Sequence, residues 1–212
     1  GVQMVRDVVP WEEMKLRMLN GSHSFLAYLG YLSGFAHISD CMQDKVFRQA
    51  ARCLMLQEQA PTLQITDVDL TLYADKLVER FANPALKHKT WQIAMDGSQK
   101  LPQRMLASIR IHLQRESTWP LLALGVAGWM RYVSGFDDVN KTIDVRDPLS
   151  DKIATLVAKS TSAQRVKTLL SLNEIFGDDL PDNPRFVEAI SEAWQQIEQY
   201  GAHQAVAHAL KN

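Results

Sequence analysis

Three side chains near the start of the chain have the chemistry of an acid/base site. Lys15 is followed by Asn20 and His23, and Glu12 lies one turn before the lysine. On an α-helix, at about 100° per residue, all four share one arc of the surface. A desolvated lysine transfers protons near neutral pH, and an amide N–H stabilises an oxygen that gains negative charge. Histidine can hold a neighbouring hydroxyl or carbonyl. The pattern therefore predicts general acid/base chemistry.

The spacing leaves two alternatives open. Glu12 either favours the charged form of Lys15 or relays its proton to water. The same face also fits a half-exposed helix surface with a capped or kinked turn at Asn20–Gly21, which would need no chemistry.

The elements that would position these residues are predicted to be helices. Apolar residues recur at three- and four-residue spacing in six runs, which cover residues 14–32, 46–56, 70–81, 105–113, 153–172 and 186–197. Prolines separate these runs and are predicted to start or connect helices rather than to kink them. They are Pro61, Pro84, Pro102, Pro120, Pro148, Pro181 and Pro184.

Two further patterns complete the fold prediction. The apolar run Trp119–Met130 predicts a buried helix that is too short to cross a membrane. Only Met4–Val9 has an extended pattern, with a short hairpin as an option around Asp138–Lys141. We predict an all-α fold of about eight to ten helices, with residues 1–212 forming one domain.

Composition excludes several classes of protein. Lys and Arg total 23 and Asp and Glu total 24, so the chain lacks the basic excess of a nucleic-acid binder or a membrane-surface protein. The glycines form no phosphate-binding loop, which predicts no cofactor-binding residue in this chain. Cys41 and Cys53 are too few for a disulfide framework, which favours the cytoplasm. His203 and His208 lack the spacing of a metal pair, and we predict no metal.

Longer motifs carry a resemblance to a known family. Lys15 to His23 has the pattern K-x-x-x-x-N-x-x-H, which resembles the signature of the polyol-specific long-chain dehydrogenases and reductases. The resemblance continues in three further segments and covers most of the chain; these are Asn83–Leu86, Met95–Arg104 and Ala127–Tyr132. The strings Asn-Gly-Ser-His and Met-Asp-Gly-Ser-Gln-Lys-Leu-Pro-Gln-Arg are most similar to the fructuronate reductase (D-mannonate oxidoreductase) branch.

The resemblance implies a fold and a chemistry. The fold would be the all-α substrate domain of a two-domain dehydrogenase, similar to the C-terminal domain of 6-phosphogluconate dehydrogenase. The chemistry would be metal-independent hydride transfer between a nicotinamide and a secondary alcohol or ketone. Lys15 would then donate and accept the proton, Asn20 would stabilise the oxyanion, His23 would position the substrate and Glu12 would be the proton relay.

The resemblance also bears on the substrate. Lys100 matches a basic residue that binds substrate oxygens, whereas Gln92 stands where an arginine usually helps to hold a polyol. This departure favours a sugar acid, whose carboxylate would need Lys100, Arg104 or His88. The predicted reaction interconverts fructuronate and mannonate. The alternatives are a polyol 2-dehydrogenase of the mannitol or arabinitol type, and a non-catalytic helical interaction domain.

Family members also begin with a Rossmann domain that binds NAD or NADP, and this chain contains none. We therefore expect its partners to be that N-terminal domain and a sugar acid or polyol. The chain alone should be nearly inactive, because nothing in it would hold the nicotinamide at near-attack distance.

Overall fold

The computed structural model describes residues 7–212, and its helices confirm the predicted all-α fold. The α-helices are α1 (Val9–Met14), α2 (Gly21–Leu32), α3 (Ile38–Gln43), α4 (Lys45–Cys53), α5 (Leu70–Ala82), α6 (Thr90–Ile93), α7 (Gly97–Leu101), α8 (Ala107–Arg115), α9 (Pro120–Val133), α10 (Ser150–Ala158), α11 (Arg165–Leu169), α12 (Asn173–Phe176) and α13 (Pro184–Lys211). Among the described residues, π1 (Lys15–Asn20) joins α1 to α2, π3 (Pro102–Leu106) joins α7 to α8, and π2 (Leu54–Gln59) joins α4 to a 3-10 helix (Ala60–Thr62).

The core is built on two apolar helices, α2 and α9, that pack against each other. Every residue from Leu121 to Met130 is buried, as the apolar run predicts. The two helices approach closely because glycine takes little space: a Cβ at Gly128 would stand 2.8 Å from Leu29 Cδ2. This core supports the whole length of α2, which begins directly after π1.

The last helix folds back on itself. Gly201 has φ 81° and ψ 165°, a backbone conformation that is essentially restricted to glycine. The Asp138 carboxylate accepts a hydrogen bond from Ala202 N at 2.8 Å, and thereby caps the second limb. His208 Nδ1 lies 3.1 Å from Gln196 Oε1, twelve residues earlier, so the two limbs of α13 run side by side. They border a groove of about 920 Å³.

Three local predictions are changed by the structure. Pro102 does not separate two helices: it begins π3 inside a continuous helical run, where a wider turn accommodates its missing N–H and its ring. The run 153–172 is broken between α10 and α11 by a turn that Thr161 caps. For Met4–Val9, residues 4–6 lie outside the described range, and Val9 is helical. The hairpin option is confirmed by an antiparallel bridge between Phe136 and Thr142.

Two properties of residues 7–212 bear on membrane and metal binding. None of the helices described is both long and apolar enough to traverse a bilayer. Over the same residues, no group of three His, Cys, Asp or Glu side chains is arranged to hold a metal ion.

Candidate active site

Lys15 and Asn20 lie on the π-helix π1, between α1 with Glu12 and α2 with His23, so the prediction of one regular α-helix through these residues is wrong at Lys15–Asn20. Gly21 N–H bonds to Leu16 C=O, five residues back. In a π-helix, residue i+5 takes the place that i+4 occupies in an α-helix. Asn20 therefore lies about one turn along from Lys15, closer to its face than the α-helical spacing predicts.

Side-chain hydrogen bonds support this wide turn. The hydroxyl of Ser22 donates to Met18 C=O and to Leu19 C=O, the latter at 3.2 Å. Arg17, which is buried on the opposite side of π1, donates to Thr62 C=O at 3.0 Å. Carbonyls near the π turn thus find partners in side chains, and π1 is anchored on its inner side.

The four predicted acid/base residues occupy different depths. Lys15 and Glu12 are exposed, and within residues 7–212 neither side chain has a hydrogen-bond or ion-pair partner. Asn20 is half-buried, and His23 is 9 % exposed. Lys15 therefore lies at the solvent edge, while Asn20 and His23 lie against the interior.

The environment of His23 is apolar on one side and cationic on the other. Its ring stacks on Phe81, with centroids 5.0 Å apart, and meets the edge of His88 at 5.3 Å. Its Nε2 is buried and has no hydrogen-bond partner in the described part of the chain. Burial lowers the pKa of His23 to about 3. Nearby positive groups add to this shift; in order of effect they are His88, Arg104, Lys100 and Arg80. At neutral pH the imidazole is therefore uncharged.

The structure brings two of the predicted substrate-binding cations next to the motif. Arg104, on π3, donates through Nη1 to Ser24 Oγ at 2.9 Å and to Asn20 C=O at 3.4 Å. Lys100 Nζ donates to Ile93 C=O at 3.0 Å. The pKa of Lys100 is lowered, first by burial and then by the charge of Arg104. These two cations and the motif thus belong to one site.

A half-buried carboxylate positions the helix that carries Lys100. Asp147 accepts from Ser98 N at 2.8 Å and from Ser98 Oγ at 2.6 Å. The residue before α7, Asp96, has a left-handed conformation with φ 58°, and its N–H donates to Arg146 C=O. The segment before α10 therefore holds the start of α7 in place through Asp147 and Arg146 C=O.

Not every predicted substrate residue joins this site. Gln92 is exposed on α6 and makes no side-chain hydrogen bond within the described range. Conversely, sequence reasoning missed Arg80 on α5, next to the Phe81 on which His23 stacks. It also missed Gln59, a buried amide that contacts π3. Neither has a sequence signal, because each reaches the motif only through the tertiary fold.

The helical fold, with a neutral imidazole beside Arg104 and Lys100, belongs to a known class of helical domains. Residues 7–198 match the family described as the mannitol dehydrogenase C-terminal domain. The chain belongs to the mannitol dehydrogenase family.

Individual proteins similar to this chain agree with the family assignment. The chain is 81% identical over 211 residues to the uncharacterised oxidoreductase YeiQ of Escherichia coli. It is 57% identical over 208 residues to the D-mannonate oxidoreductase of the same organism. These matches cover 100% and 98% of this chain but 43% of each relative. A solved complex of Pseudomonas fluorescens mannitol 2-dehydrogenase with NAD and D-mannitol is similar at TM-score 0.94 and 34% identity, over 100% of this chain and 43% of that one.

Proposed function

We propose that this chain is the substrate-binding and acid/base half of an oxidoreductase that interconverts fructuronate and mannonate. The observation that carries the proposal is the surroundings of His23, where a buried Nε2 without a partner lies among cationic groups. A sugar acid offers a hydroxyl to this imidazole and a carboxylate to Arg104 or Lys100, with His88 beside them. The 57% identity with D-mannonate oxidoreductase supports the same substrate class.

The proposed roles follow from the position of each group. Lys15 exchanges a proton with the reacting oxygen, and Glu12 relays that proton to solvent. The Asn20 amide donates to the same oxygen as its negative charge grows. His23, being neutral, bonds a neighbouring hydroxyl and fixes the substrate's orientation. Lys15 is exposed at the edge of the domain, where a second segment would cover it and exclude water.

The residues of this chain do not fit the nucleotide part of a nicotinamide cofactor, because its glycines form no phosphate-binding loop. The chain spans less than half the length of the relatives it matches. We therefore place NAD, or NADP, on a separate nucleotide-binding segment. When bound there, the nicotinamide would supply or accept the hydride.

The substrate assignment is tested in a chimera in which this chain replaces the matching segment of its 81%-identical relative. This chimera is called the assembly below. We expect it to oxidise NADH faster with fructuronate than with fructose, and the chain alone to be nearly inactive. A clear preference for fructose would reject the sugar acid.

The acid/base assignment predicts that Lys15→Ala lowers the turnover of the assembly by about 10²-fold or more. Lys45→Ala, at an exposed lysine on α4, is the matched control and should leave turnover unchanged. Unchanged turnover in Lys15→Ala would instead support a non-catalytic interaction domain.

A second candidate is a polyol 2-dehydrogenase. It is favoured by the close structural likeness to the mannitol 2-dehydrogenase complex. The exposed Gln92 and the cations around His23 favour the sugar acid over this candidate. Oxidation of mannitol by the assembly at a rate above its reduction of fructuronate would select the polyol.

A further inference from the structure

The three π-helices meet at one place. π1 packs against both π2 and π3, although they are far apart in sequence. A π turn shifts the backbone hydrogen-bonding register, so carbonyls near it depend on other partners. The contacts that supply these partners therefore decide how π1, with Lys15 and Asn20, sits relative to π3, with Arg104.

Gln59, the last residue of π2, supplies the central contact. Its side chain is fully buried, and its Nε2 donates to Arg104 C=O at 2.8 Å. Its Oε1 accepts from the Ser108 hydroxyl, which fixes the orientation of the amide. Its own C=O accepts from Thr62 Oγ1 at 2.7 Å. Both ends of the amide are thus committed to named partners.

The bond from Gln59 to Arg104 lies directly against the residue after Asn20. A Cβ at Gly21 would stand 2.7 Å from Gln59 Nε2 and 2.8 Å from Arg104 O. Only glycine lets π1 come this close to the bond. The Arg104 side chain in turn donates to Asn20 C=O at 3.4 Å. The contacts close a ring from Gln59 to Arg104, then to Asn20, and through the adjoining Gly21 back to Gln59.

We propose that Gln59 is a positioning residue for the reaction. It holds Asn20 and Arg104 at a fixed separation, so that the amide and the guanidinium address the same substrate. Gln59 itself is buried and does not touch the substrate. This inference rests on the proposed function for its activity readout and has a second readout that does not depend on activity.

The activity test compares two substitutions in the assembly. Gln59→Met keeps the approximate shape but removes both hydrogen bonds, and we expect kcat/KM to fall about 10²-fold, since small displacements of reacting groups are costly. Gln59→Glu loses the N–H donor, but its protonated form regains an O–H for Arg104 C=O. Its kcat/KM should therefore recover as the pH falls, whereas that of Gln59→Met should not. Gln57→Met, at an exposed residue of π2, is the control.

The second test uses the 212-residue chain alone and needs no substrate. Amide hydrogen exchange at Gly21 and its neighbours should quicken at least 10-fold in Gln59→Met, with α9 unchanged. Ser108→Ala, which frees the orientation of the amide, should give a smaller change in the same direction. Unaltered exchange at Gly21, or a loss of activity that only follows the folded fraction, would overturn the proposal. An inactive unsubstituted assembly would count against the proposed function, and the exchange result would still decide the role of Gln59.

Discussion

Two histidines in this chain are buried to a similar degree but have opposite surroundings. His112 is 3 % exposed; its Nε2 donates to Glu58 C=O at 2.6 Å, and its Nδ1 accepts from Ser117 Oγ at 2.7 Å. His23 is 9 % exposed, yet its Nε2 has no partner among the described residues. A buried polar group with every partner inside the chain stabilises the fold. One that lacks a partner and lies beside cations such as Arg104 and Lys100 is suited to bind a ligand.

The cluster around His112 also fixes the start of α9. The carboxylate of Glu58 is buried and accepts from Leu121 N at 2.8 Å and from Leu122 N at 2.9 Å. Two other side chains, Tyr28 and Trp129, also have buried polar atoms without partners in the described range, but they lie elsewhere in the fold than His23. Both are fully enclosed in the core, at 0 % exposure. Of these three side chains, His23 is the one that is partly exposed, at 9 %.

The largest effect on stability is expected when the hydrogen bonds of the cluster around His112 and Glu58 are broken. Glu58→Ala leaves two buried backbone N–H groups without acceptors, and it should lower the free energy of unfolding by about 4 kcal/mol at pH 6. Glu58→Gln keeps one acceptor oxygen and should lose about half as much. Denaturant unfolding of the 212-residue chain measures both. If Glu58→Ala were as stable as wild type, the Glu58 carboxylate would not stabilise the start of α9.

The two regions should also respond to pH with opposite signs. Burial raises the pKa of Glu58 to about 7 from 4.5, so the folded chain retains a proton that the unfolded chain releases. The contribution of Glu58 to stability should therefore fall by about 3 kcal/mol as pH rises from 4.5 to 7. The pKa of His23 is lowered from 6.5 to about 3, so its contribution falls as pH drops, by about 2 kcal/mol at pH 5.

Variants that cannot titrate isolate each contribution. Unfolding of wild type and of Glu58→Gln, followed from pH 4 to 8, should differ by an amount that changes with pH in the direction given for Glu58. The same comparison with His23→Phe should change in the reverse direction. If the stability difference from wild type changed with pH in the same direction for Glu58→Gln and for His23→Phe, the two regions would not differ as proposed.

A matched pair of substitutions gives the smallest change in stability and the clearest separation of roles. His112→Phe removes the bonds that its ring makes to Glu58 C=O and to the Ser117 hydroxyl, and it should cost about 2 kcal/mol of stability. His23→Phe keeps the stacking on Phe81 and should cost less than about 1 kcal/mol. In the assembly, the turnover of His23→Phe should fall at least 10-fold, while that of folded His112→Phe is retained. If the two variants lost equal stability, His112 and His23 would not differ in their contribution to the fold.

Apolar spacing was enough to predict the helices that form the core. The run Trp119–Met130 gives α9, and the run 70–81 gives α5 to within one residue, because burial of one apolar face or of all faces marks the sequence directly. Spacing does not mark a π turn. Whether Lys15–Asn20 closes as a π-helix depends on contacts made elsewhere in the fold, such as the one between Gln59 and Gly21.

The composition of the candidate site was predicted in part. The motif and two cations, Arg104 and Lys100, fall together, because π3 packs against π1 and α2, and α7 leads directly into π3. The place of Arg80 was not predictable, since tertiary packing, including that of Phe81 on His23, brings α5 to the site. The depth of each side chain was likewise hidden, because the helical wheel gives a direction and no distance from solvent.

The reversal at Gly201 has a consequence for assembly between copies of the chain. A side chain at this position would strain the backbone at φ 81°, ψ 165°, and would favour one uninterrupted rod from residue 184 to residue 211. Residues 202–211 would then lose their contacts with the first limb, and their buried positions, Ala202, Ala205 and Val206, would be exposed to water. The same surface on a second molecule would offer those side chains equivalent contacts. A side chain at position 201 is therefore expected to favour exchange of the tail between two molecules.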